Sequence, residues 1–217
     1  MQQSEHLQLK NYKVKEIYYT LQGEGHYTGR AAVFCRFAGC NLWGGLEKDR
    51  DNAICKFCDT DFWGTDGVNG GKYSAIELAS KVRGLFPSDV NPLVVCTGGE
   101  PALQLDKTLI DAFHQMGLEI AIETNGTVEL AEGIDWICVS PKANTTILVT
   151  KGNELKLVYP QVENHPSQFQ HLDFQHFYLQ PLDNENRTGN TKACIDFCME
   201  NPLWKLSVQT HKDIGIA

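Results

Sequence analysis

Residues 39–61 read GCNLWGGLEKDRDNAICKFCDTD and contain three cysteines. Fourteen residues separate Cys40 from Cys55, and two more separate Cys55 from Cys58. No further cysteine or histidine follows at a matching interval. A structural zinc site has four protein ligands, and a four-iron cluster usually has four thiolates. The pattern therefore indicates a metal centre at which one position is left open for another ligand.

The cysteines alone leave alternatives open, because thiolates suit both iron–sulfur clusters and zinc. A structural zinc site with a distant fourth ligand and three unbound thiols are the alternatives. The sequence around the cysteines favours a cluster. Cys40 follows an apolar run of strand length, AAVFCRF at residues 31–37, and the next long apolar run ends at TGGEP, residues 97–101.

Outward from this stretch, short apolar runs and helical patterns alternate along the chain. Strands are predicted at residues 14–19, 31–37, 93–96, 119–123, 135–139, 155–159, 174–179 and 204–208. Ser74 and Glu77 form a predicted capping box at the start of one helix, and further helices are predicted at 103–116, 166–171 and 191–199. The alternation predicts an α/β fold with a parallel sheet. About six of the strands would form an incomplete (β/α) barrel.

Polar clusters follow the carboxyl ends of the predicted strands. They are CNLW, TGGEP, ETNG, SPK, QPLD and QTHK. In (β/α) barrels this rim carries the active site. We therefore expect these clusters to meet around one site. Residues 1–217 are interpreted as a single domain, since the sequence has no internal repeat or Pro/Ser-rich linker.

Composition excludes several classes of protein. The formal net charge of −8 argues against a general nucleic-acid or membrane-surface binder. The polar start MQQSEHLQLK lacks the apolar segment of a signal peptide, and no apolar run has the length of a membrane span. Eight cysteines in a chain of 217 residues without an export signal indicate reduced thiols or metal ligands rather than a disulfide framework. We therefore expect a cytoplasmic protein.

Taken together, the motifs resemble the radical S-adenosylmethionine superfamily. Its usual cysteine spacing is three residues and then two, whereas the spacing of fourteen and then two resembles 7-carboxy-7-deazaguanine synthases. The resemblance extends from about residue 14 to the C-terminus. It includes QGEG at 22–25, CRFAGCNLW at 35–43, TGGEP at 97–101, and further along ETNG, SPK, KGNELK, QPLD and QTHK.

The resemblance implies that Cys40, Cys55 and Cys58 hold a [4Fe–4S] cluster whose open iron binds S-adenosylmethionine. Reductive cleavage of this cofactor would give a 5′-deoxyadenosyl radical. The implied reaction converts 6-carboxy-5,6,7,8-tetrahydropterin to 7-carboxy-7-deazaguanine and ammonia, with regeneration of S-adenosylmethionine. The radical is delivered by the cofactor, and no protein acid or base is assigned. An electron donor such as flavodoxin is implied. Open sheet edges lead us to expect a homodimer.

The cofactor residues are expected mainly in the loops at the rim. Gly98 and Gly99 lack a Cβ, which lets backbone approach a ligand closely, although TGGEP also suits an ordinary turn into a helix. ETNG likewise suits a simple Asn-Gly turn. The implied cofactor-binding residues are Phe57, Cys58, Asp59, Gly98, Gly99, Glu100, Glu123, Asn125, Ser140, Pro141, Lys142, Gln180, Pro181, Leu182 and Asp183.

Thr60 is implied as a ligand of Mg²⁺, a cation that prefers oxygen ligands. Sequence alone does not separate Thr60 from the flanking aspartates, whose side chains also suit helix capping. The implied substrate-binding residues are Leu21, Gln22, Gly23, Glu24, Arg36, Thr97, His211 and the C-terminal residue Ala217. Alternatives remain for three of these sites: a flexible loop at QGEG, a structural ion pair at Arg36 and a solvated side chain at His211.

Two rival functions remain from sequence. One is a radical S-adenosylmethionine activase that makes a glycyl radical on a partner protein. It would consume its cofactor stoichiometrically and should lack a pterin pocket built from QGEG and QTHK. The other is a non-enzymatic metal-binding protein, which would bind zinc and cleave no cofactor.

Overall fold

A computed structural model describes residues 10–216, and within them nine strands form one sheet. The strands are β1 (Tyr12–Leu21), β2 (Ala31–Phe37), β3 (Gly71–Tyr73), β4 (Leu93–Gly98), β5 (Glu119–Thr124), β6 (Trp136–Val139), β7 (Lys151–Tyr159), β8 (Asp173–Pro181) and β9 (Trp204–Leu206). The α-helices are α1 (Ala75–Arg83), α2 (Lys107–Gln115), α3 (Arg187–Glu200) and α4 (Thr210–Ile214).

The strand order is β3-β1-β2-β4-β5-β6-β7-β8-β9. Each neighbouring pair from β2 to β9 is parallel, whereas β1 is antiparallel to both β2 and β3. The two edge strands, β3 and β9, are not paired with each other, so the sheet does not close into a complete barrel. The predicted α/β fold with an incomplete barrel is confirmed, with seven parallel strands where about six were expected.

The helix boundaries separate correct predictions from wrong ones. Ser74 caps α1 as expected: its Oγ accepts from Glu77 N at 3.4 Å, and Glu77 Oε2 accepts from Ser74 N at 2.8 Å. The predicted helix at 103–116 is wrong at its start. A short 3₁₀ segment, Pro101–Leu103, comes first, and α2 begins only after Asp106, whose Oδ1 accepts from Leu109 N at 3.1 Å. Asp106 thus acts as an N-cap inside the predicted helix and delays the start of α2.

Other predictions differ in extent. The predicted helix at 166–171 is a single 3₁₀ turn, Pro166–Gln168, and α3 begins four residues before its predicted start at 191. Strand β3 falls in a stretch predicted as loop, because three residues at a sheet edge carry little periodic signal. Within residues 10–216, no helix combines the length and apolar character needed to cross a membrane.

The apolar core lies on the outer face of the sheet. Helices α1 and α2 pack over one half of the sheet, and α3 packs over the other. Cys35, Cys96 and Cys138 are fully buried, as expected for small apolar side chains. Cys35 and Cys96 belong to the core cluster under α1 and α2, whereas Cys138 faces the inner side of the sheet, where it interacts with Glu123. Because side chains alternate between the two faces of a strand, Arg36 and Thr97, the neighbours of Cys35 and Cys96, point into the open barrel. Those inward positions supply the polar residues of the site.

Candidate active site

A cavity of about 450 Å³ lies at the carboxyl ends of the parallel strands. Cys40, Cys55 and Cys58 all line it. The sequence-predicted residues that also line it are Leu21, Gln22, Gly23, Glu24, Arg36, Phe57, Asp59, Thr60, Thr97, Gly98, Gly99, Glu123, Asn125, Ser140, Lys142, Gln180, Pro181, Leu182, Asp183 and His211. The structure therefore brings the polar clusters of six strand ends to one cavity.

Two of the described residues that the sequence predicted are not part of the cavity wall. A further predicted residue, Ala217, lies outside the described residues. Pro141 is buried, and its carbonyl oxygen accepts from Asn164 Nδ2 at 3.2 Å. Glu100 is fully buried and belongs to a hydrogen-bond network of its own.

The Glu100 carboxylate ties two rim loops together. Its Oε1 accepts from Thr124 Oγ1 at 2.7 Å and from Ala102 N at 3.0 Å, and its Oε2 accepts from Asn125 N at 2.7 Å. Burial raises the pKa of Glu100, and these hydrogen bonds oppose that shift. Glu100 therefore joins the TGGEP loop to the ETNG loop and is not part of the cavity wall.

The three cysteines have the chemistry of a thiolate cluster site. Burial raises the pKa values of Cys40 and Cys55, and the charge of Cys58 raises both further. The backbone N–H of Leu42 donates to Cys40 Sγ at 3.4 Å, which favours the thiolate. A cation that binds all three sulfurs would remove their mutual repulsion.

Two further observations bear on what the cysteines bind. Among residues 10–216, no group of three or more His, Cys, Asp or Glu side chains is placed to hold a single metal ion. In a four-iron cluster each thiolate binds a different iron, so its ligands need not converge on one point. The buried Nε1 of Trp43, on the wall of the same cavity, has no hydrogen-bond partner among the described residues. The three thiols and the unpaired indole N–H that line one cavity therefore fit a sulfur-rich cluster.

TGGEP packs directly on the cysteine loop. A Cβ added to Gly98 would lie 2.2 Å from the carbonyl oxygen of Phe37, and one added to Gly99 would lie 2.2 Å from that of Gly39. Sequence reasoning expected these glycines to admit a ligand. The structure shows that they also let the end of β4 meet the backbone just before Cys40.

The loop after β1 and the C-terminal segment form another part of the cavity wall. The Gly23 carbonyl oxygen accepts from Thr210 N at 3.0 Å, and Gly25 N donates to Ser207 Oγ at 2.9 Å. These bonds join QGEG to the region of QTHK, although about 185 residues separate the two motifs in sequence. QGEG is thus anchored on both of its glycines.

Arg36 projects from β2 into the cavity. Its Nε donates to Glu16 Oε1 at 2.8 Å, and its Nη2 donates to Tyr18 OH at 3.0 Å. Both partners are on β1, the antiparallel neighbour of β2. The structure gives the expected ion pair, and the same guanidinium also lines the cavity, so the structural and binding interpretations of Arg36 are compatible.

Lysines hold both carboxylates that flank Thr60. Lys15 Nζ lies 2.8 Å from Asp61 Oδ2. Lys212 Nζ lies 2.8 Å from Asp59 Oδ2 and also contacts Asp183. The sequence did not separate Thr60 from these two aspartates, and in the structure both carboxylates are ion-paired.

Lys156 is the main residue of the cavity that sequence reasoning missed. It lies on β7 with only 5% of its side chain exposed, and it forms ion pairs with Glu24 and Glu123. A lysine in a predicted buried strand was the available signal, because lysine is rarely buried without a partner. KGNELK was noted as a motif, but its last lysine was given no function.

Comparisons with known proteins complete the description. No protein-family model matches the chain. It is 58% identical over 207 residues to a 7-carboxy-7-deazaguanine synthase of Burkholderia multivorans, covering 94% of this chain and 99% of that protein. It is 56% identical to the 7-carboxy-7-deazaguanine synthase of Caulobacter vibrioides, with the same coverage. The crystal structure of QueE from Escherichia coli matches with a TM-score of 0.73 at 29% identity, covering 93% of this chain and 95% of that chain.

Proposed function

The chain belongs to the 7-carboxy-7-deazaguanine synthase family, and from this membership we propose its reaction and the residues that perform it. The enzyme is a lyase that converts 6-carboxy-5,6,7,8-tetrahydropterin to 7-carboxy-7-deazaguanine and ammonia, for queuosine and related 7-deazapurines. The observation that carries the proposal is one cavity lined by the three cysteines and, on its other walls, by Arg36 and Glu24. The relatives reported above are all synthases, so the activase alternative is not favoured.

Cys40, Cys55 and Cys58 would hold a [4Fe–4S] cluster, and the rim loops would hold S-adenosylmethionine. When bound, these groups supply radical chemistry that removes a hydrogen atom from the substrate. Ser140, Gln180 and Asp183 would bond the polar edges of the adenosine. The remaining proposed cofactor contacts are Phe57, Cys58, Asp59, Gly98, Gly99, Glu123, Asn125, Lys142, Pro181 and Leu182, with Glu100 and Pro141 acting from behind the wall.

Arg36 and Glu24 give the substrate its orientation. The Arg36 guanidinium suits the substrate carboxylate, because planar N–H donors match two carboxylate oxygens. Burial would raise the pKa of Glu24, but Lys156 and Gln209 lower it to about 2, so this side chain accepts hydrogen bonds at neutral pH. It suits the guanidine-like edge of the pterin. Leu21, Gln22, Gly23, Thr97, His211 and Ala217 complete the proposed substrate contacts.

Thr60 is proposed as a ligand of Mg²⁺ that would also bind substrate oxygen. One protein hydroxyl is enough when the remaining ligands are water and substrate, since Mg²⁺ keeps several waters. The lysine partners of Asp59 and Asp61 support this assignment, because they leave the hydroxyl between two carboxylates that are already paired.

Several wider assignments complete the proposal. Residues 1–217 act as one domain, and the protein works in the cytoplasm with an electron donor such as flavodoxin. The proposed homodimer rests on the open sheet, which has β3 and β9 as its two edge strands. Nucleic acid and membranes are not proposed as partners.

Anaerobic turnover of 6-carboxytetrahydropterin tests the proposed reaction. Reduced, cluster-replete protein should release 7-carboxy-7-deazaguanine and ammonia, identified by mass spectrometry. Cys55→Ser should abolish both the cluster and the product. Cys198→Ser is the matched control, because this half-buried thiol on α3 lies outside the cavity wall. Absence of the deazaguanine product from cluster-replete wild-type protein would refute the proposal.

A further inference from the structure

A buried ammonium lies between two carboxylates at the base of the cavity. Lys156 Nζ is 2.8 Å from Glu24 Oε2 and 2.9 Å from Glu123 Oε2. The side chains of Glu24 and Glu123 are 18% and 20% exposed, so both face the cavity more than Lys156 does. We call Lys156, Glu24 and Glu123 the carboxylate–lysine triad. Its formal charge is −1 when all three groups are ionised.

The triad joins four separate parts of the fold. The second oxygen of Glu24 accepts from Gln209 Nε2 at 2.9 Å, and the second oxygen of Glu123 accepts from Gln22 Nε2 at 3.3 Å. These residues come from the loop after β1, from β5, from β7 and from the C-terminal segment. The hydrogen bond from Gln209 lowers the pKa of Glu24, and Gln22 gives the Glu123 carboxylate a neutral donor.

Without the Lys156 ammonium, Glu24 and Glu123 would not both stay ionised. Two adjacent carboxylates in a poorly solvated wall repel, and one of them takes up a proton. A protonated carboxyl group donates through its O–H. It would therefore compete with the N–H donors of a pterin instead of accepting from them. Lys156 contributes the charge that prevents this.

Other titratable groups also lie near the triad and enter its pH dependence. Burial would lower the pKa of Lys156, but the surrounding anions raise it. Within residues 10–216, the two glutamates are the direct partners of the Lys156 ammonium, and the other nearby groups act on it through their charge alone. The groups with an electrostatic effect on triad members are Cys138 on β6, Glu154 on β7, Lys142 after β6 and His211 on α4.

We infer that Lys156 is a positioning residue for the reaction proposed above, holding Glu24 and Glu123 side by side as acceptors for the N–H groups of the heterocycle. The inference rests on the proposed function. It extends that function to a residue that need not touch the substrate, and it groups Glu123 with the substrate-binding Glu24. The ligand class it selects is a planar heterocycle that offers several N–H donors on one edge.

Three variants test the positioning role under anaerobic conditions with cluster-replete protein. Lys156→Met should raise KM for 6-carboxytetrahydropterin by roughly tenfold or more, and calorimetry should show the same loss in substrate binding. It should also add an acidic limb to the profile of kcat/KM against pH, because loss of the ammonium leaves two neighbouring carboxylates that repel each other. Lys156→Met/Glu123→Gln, which restores the charge of −1, should remove much of that limb. Lys107→Met is the control, since Lys107 is an exposed lysine paired with Asp111 on α2.

The outcomes separate the inference from the proposed function. Suppose that the wild type turns over and that folded Lys156→Met keeps the KM and the pH profile of the wild type. This result would overturn the inference and leave the proposed reaction intact. Failure of the wild type to turn over would refute the reaction instead. If Lys156→Met does not fold, Lys156→Arg replaces it. A positioning role then predicts a raised KM without the acidic limb, and an unchanged KM would overturn the inference.

Discussion

Gly23 and His211 pack so closely that no side chain fits between them. A Cβ added to Gly23 would lie 2.2 Å from His211 Nδ1 and 2.8 Å from its Cβ. The bond from Thr210 N to the Gly23 carbonyl oxygen fixes the two backbones beside each other. The first loop of the barrel and the C-terminal segment therefore form a single wall of the cavity.

Gly23→Ala should displace His211 from this wall. A Cβ so close to the histidine ring and its Cβ forces rotation of the side chain or movement of the segment, and the change should raise KM for the pterin by roughly tenfold. Iron content should stay unchanged, because the three atoms nearest the added Cβ all belong to His211 and none to a cysteine. Steady-state kinetics measure the effect. Gly44→Ala is the control: its added Cβ would meet nothing within 4 Å. An unaltered KM in Gly23→Ala would contradict the assignment of His211.

Gly99→Ala should affect the cluster rather than the substrate. Its Cβ would lie 2.2 Å from the Gly39 carbonyl oxygen and 2.8 Å from Cys40 Cβ. Backbone cannot yield as a flexible side chain can, so Cys40 should shift away from the other two thiolates. We expect lower iron and sulfide content per chain after anaerobic reconstitution, with Gly44→Ala again as the control. Full cluster content in Gly99→Ala would show that the close packing is not needed.

Thr60→Val should increase the concentration of Mg²⁺ needed for half-maximal activity. The substitution keeps the shape of the side chain but removes its oxygen, the ligand type that Mg²⁺ requires. Asp61→Asn is the matched control on the next residue, since the Asp61 carboxylate is paired with Lys15 and 72% exposed. Its Mg²⁺ requirement should match the wild type. Equal responses of the two variants to Mg²⁺ would argue against Thr60 as the ligand.

Sequence reasoning located the site because polar residues at the carboxyl ends of parallel strands converge wherever the sheet forms. It placed Cys40, Thr97 and Gln180 at one rim without knowledge of distances. It missed the function of Lys156, because the partners of a buried lysine are set by which strands become neighbours in space. The sequence could not give the partners of Glu100 for the same reason: Thr124 and Asn125 come from the end of the next strand in the sheet.

The positions of most strands could be predicted from the sequence, but some of their pairings and directions could not. Alternating apolar runs were sufficient for the parallel strands from β2 to β9 and for their order along the chain. They did not give β3, a three-residue edge strand whose pairing depends on β1. Nor did they give the direction of β1, because an apolar run is the same for parallel and antiparallel neighbours. The start of α2 was misplaced since two N-cap residues, Glu100 and Asp106, compete for the same helical segment.

Glu154→Gln should stabilise the folded protein at mildly alkaline pH. Glu154 is 2% exposed, its Oε1 has no hydrogen-bond partner among the described residues, and its Oε2 accepts from His26 N at 3.1 Å. Burial raises its pKa above the ordinary value of 4.5, so ionisation costs stability as pH rises through the folded-state pKa. Glutamine removes the charge and keeps an acceptor for His26.

The gain from Glu154→Gln should be on the order of 1 kcal/mol above the folded-state pKa and should vanish below the ordinary glutamate pKa. Denaturant unfolding at several pH values measures it. Glu132→Gln, on an exposed loop, is the control and should change the free energy of unfolding little at any pH. A Glu154→Gln protein that is less stable than the wild type at alkaline pH would show that the buried carboxylate is stabilised in ionised form.

The ratio of 7-carboxy-7-deazaguanine formed to S-adenosylmethionine consumed tests the central claim most directly. It is measured by mass spectrometry during anaerobic turnover with a reductant and limiting S-adenosylmethionine. If the cavity performs the synthase reaction and regenerates its cofactor, many molecules of product should form for each molecule of S-adenosylmethionine lost. Stoichiometric loss of S-adenosylmethionine without deazaguanine product would contradict the account and favour the activase.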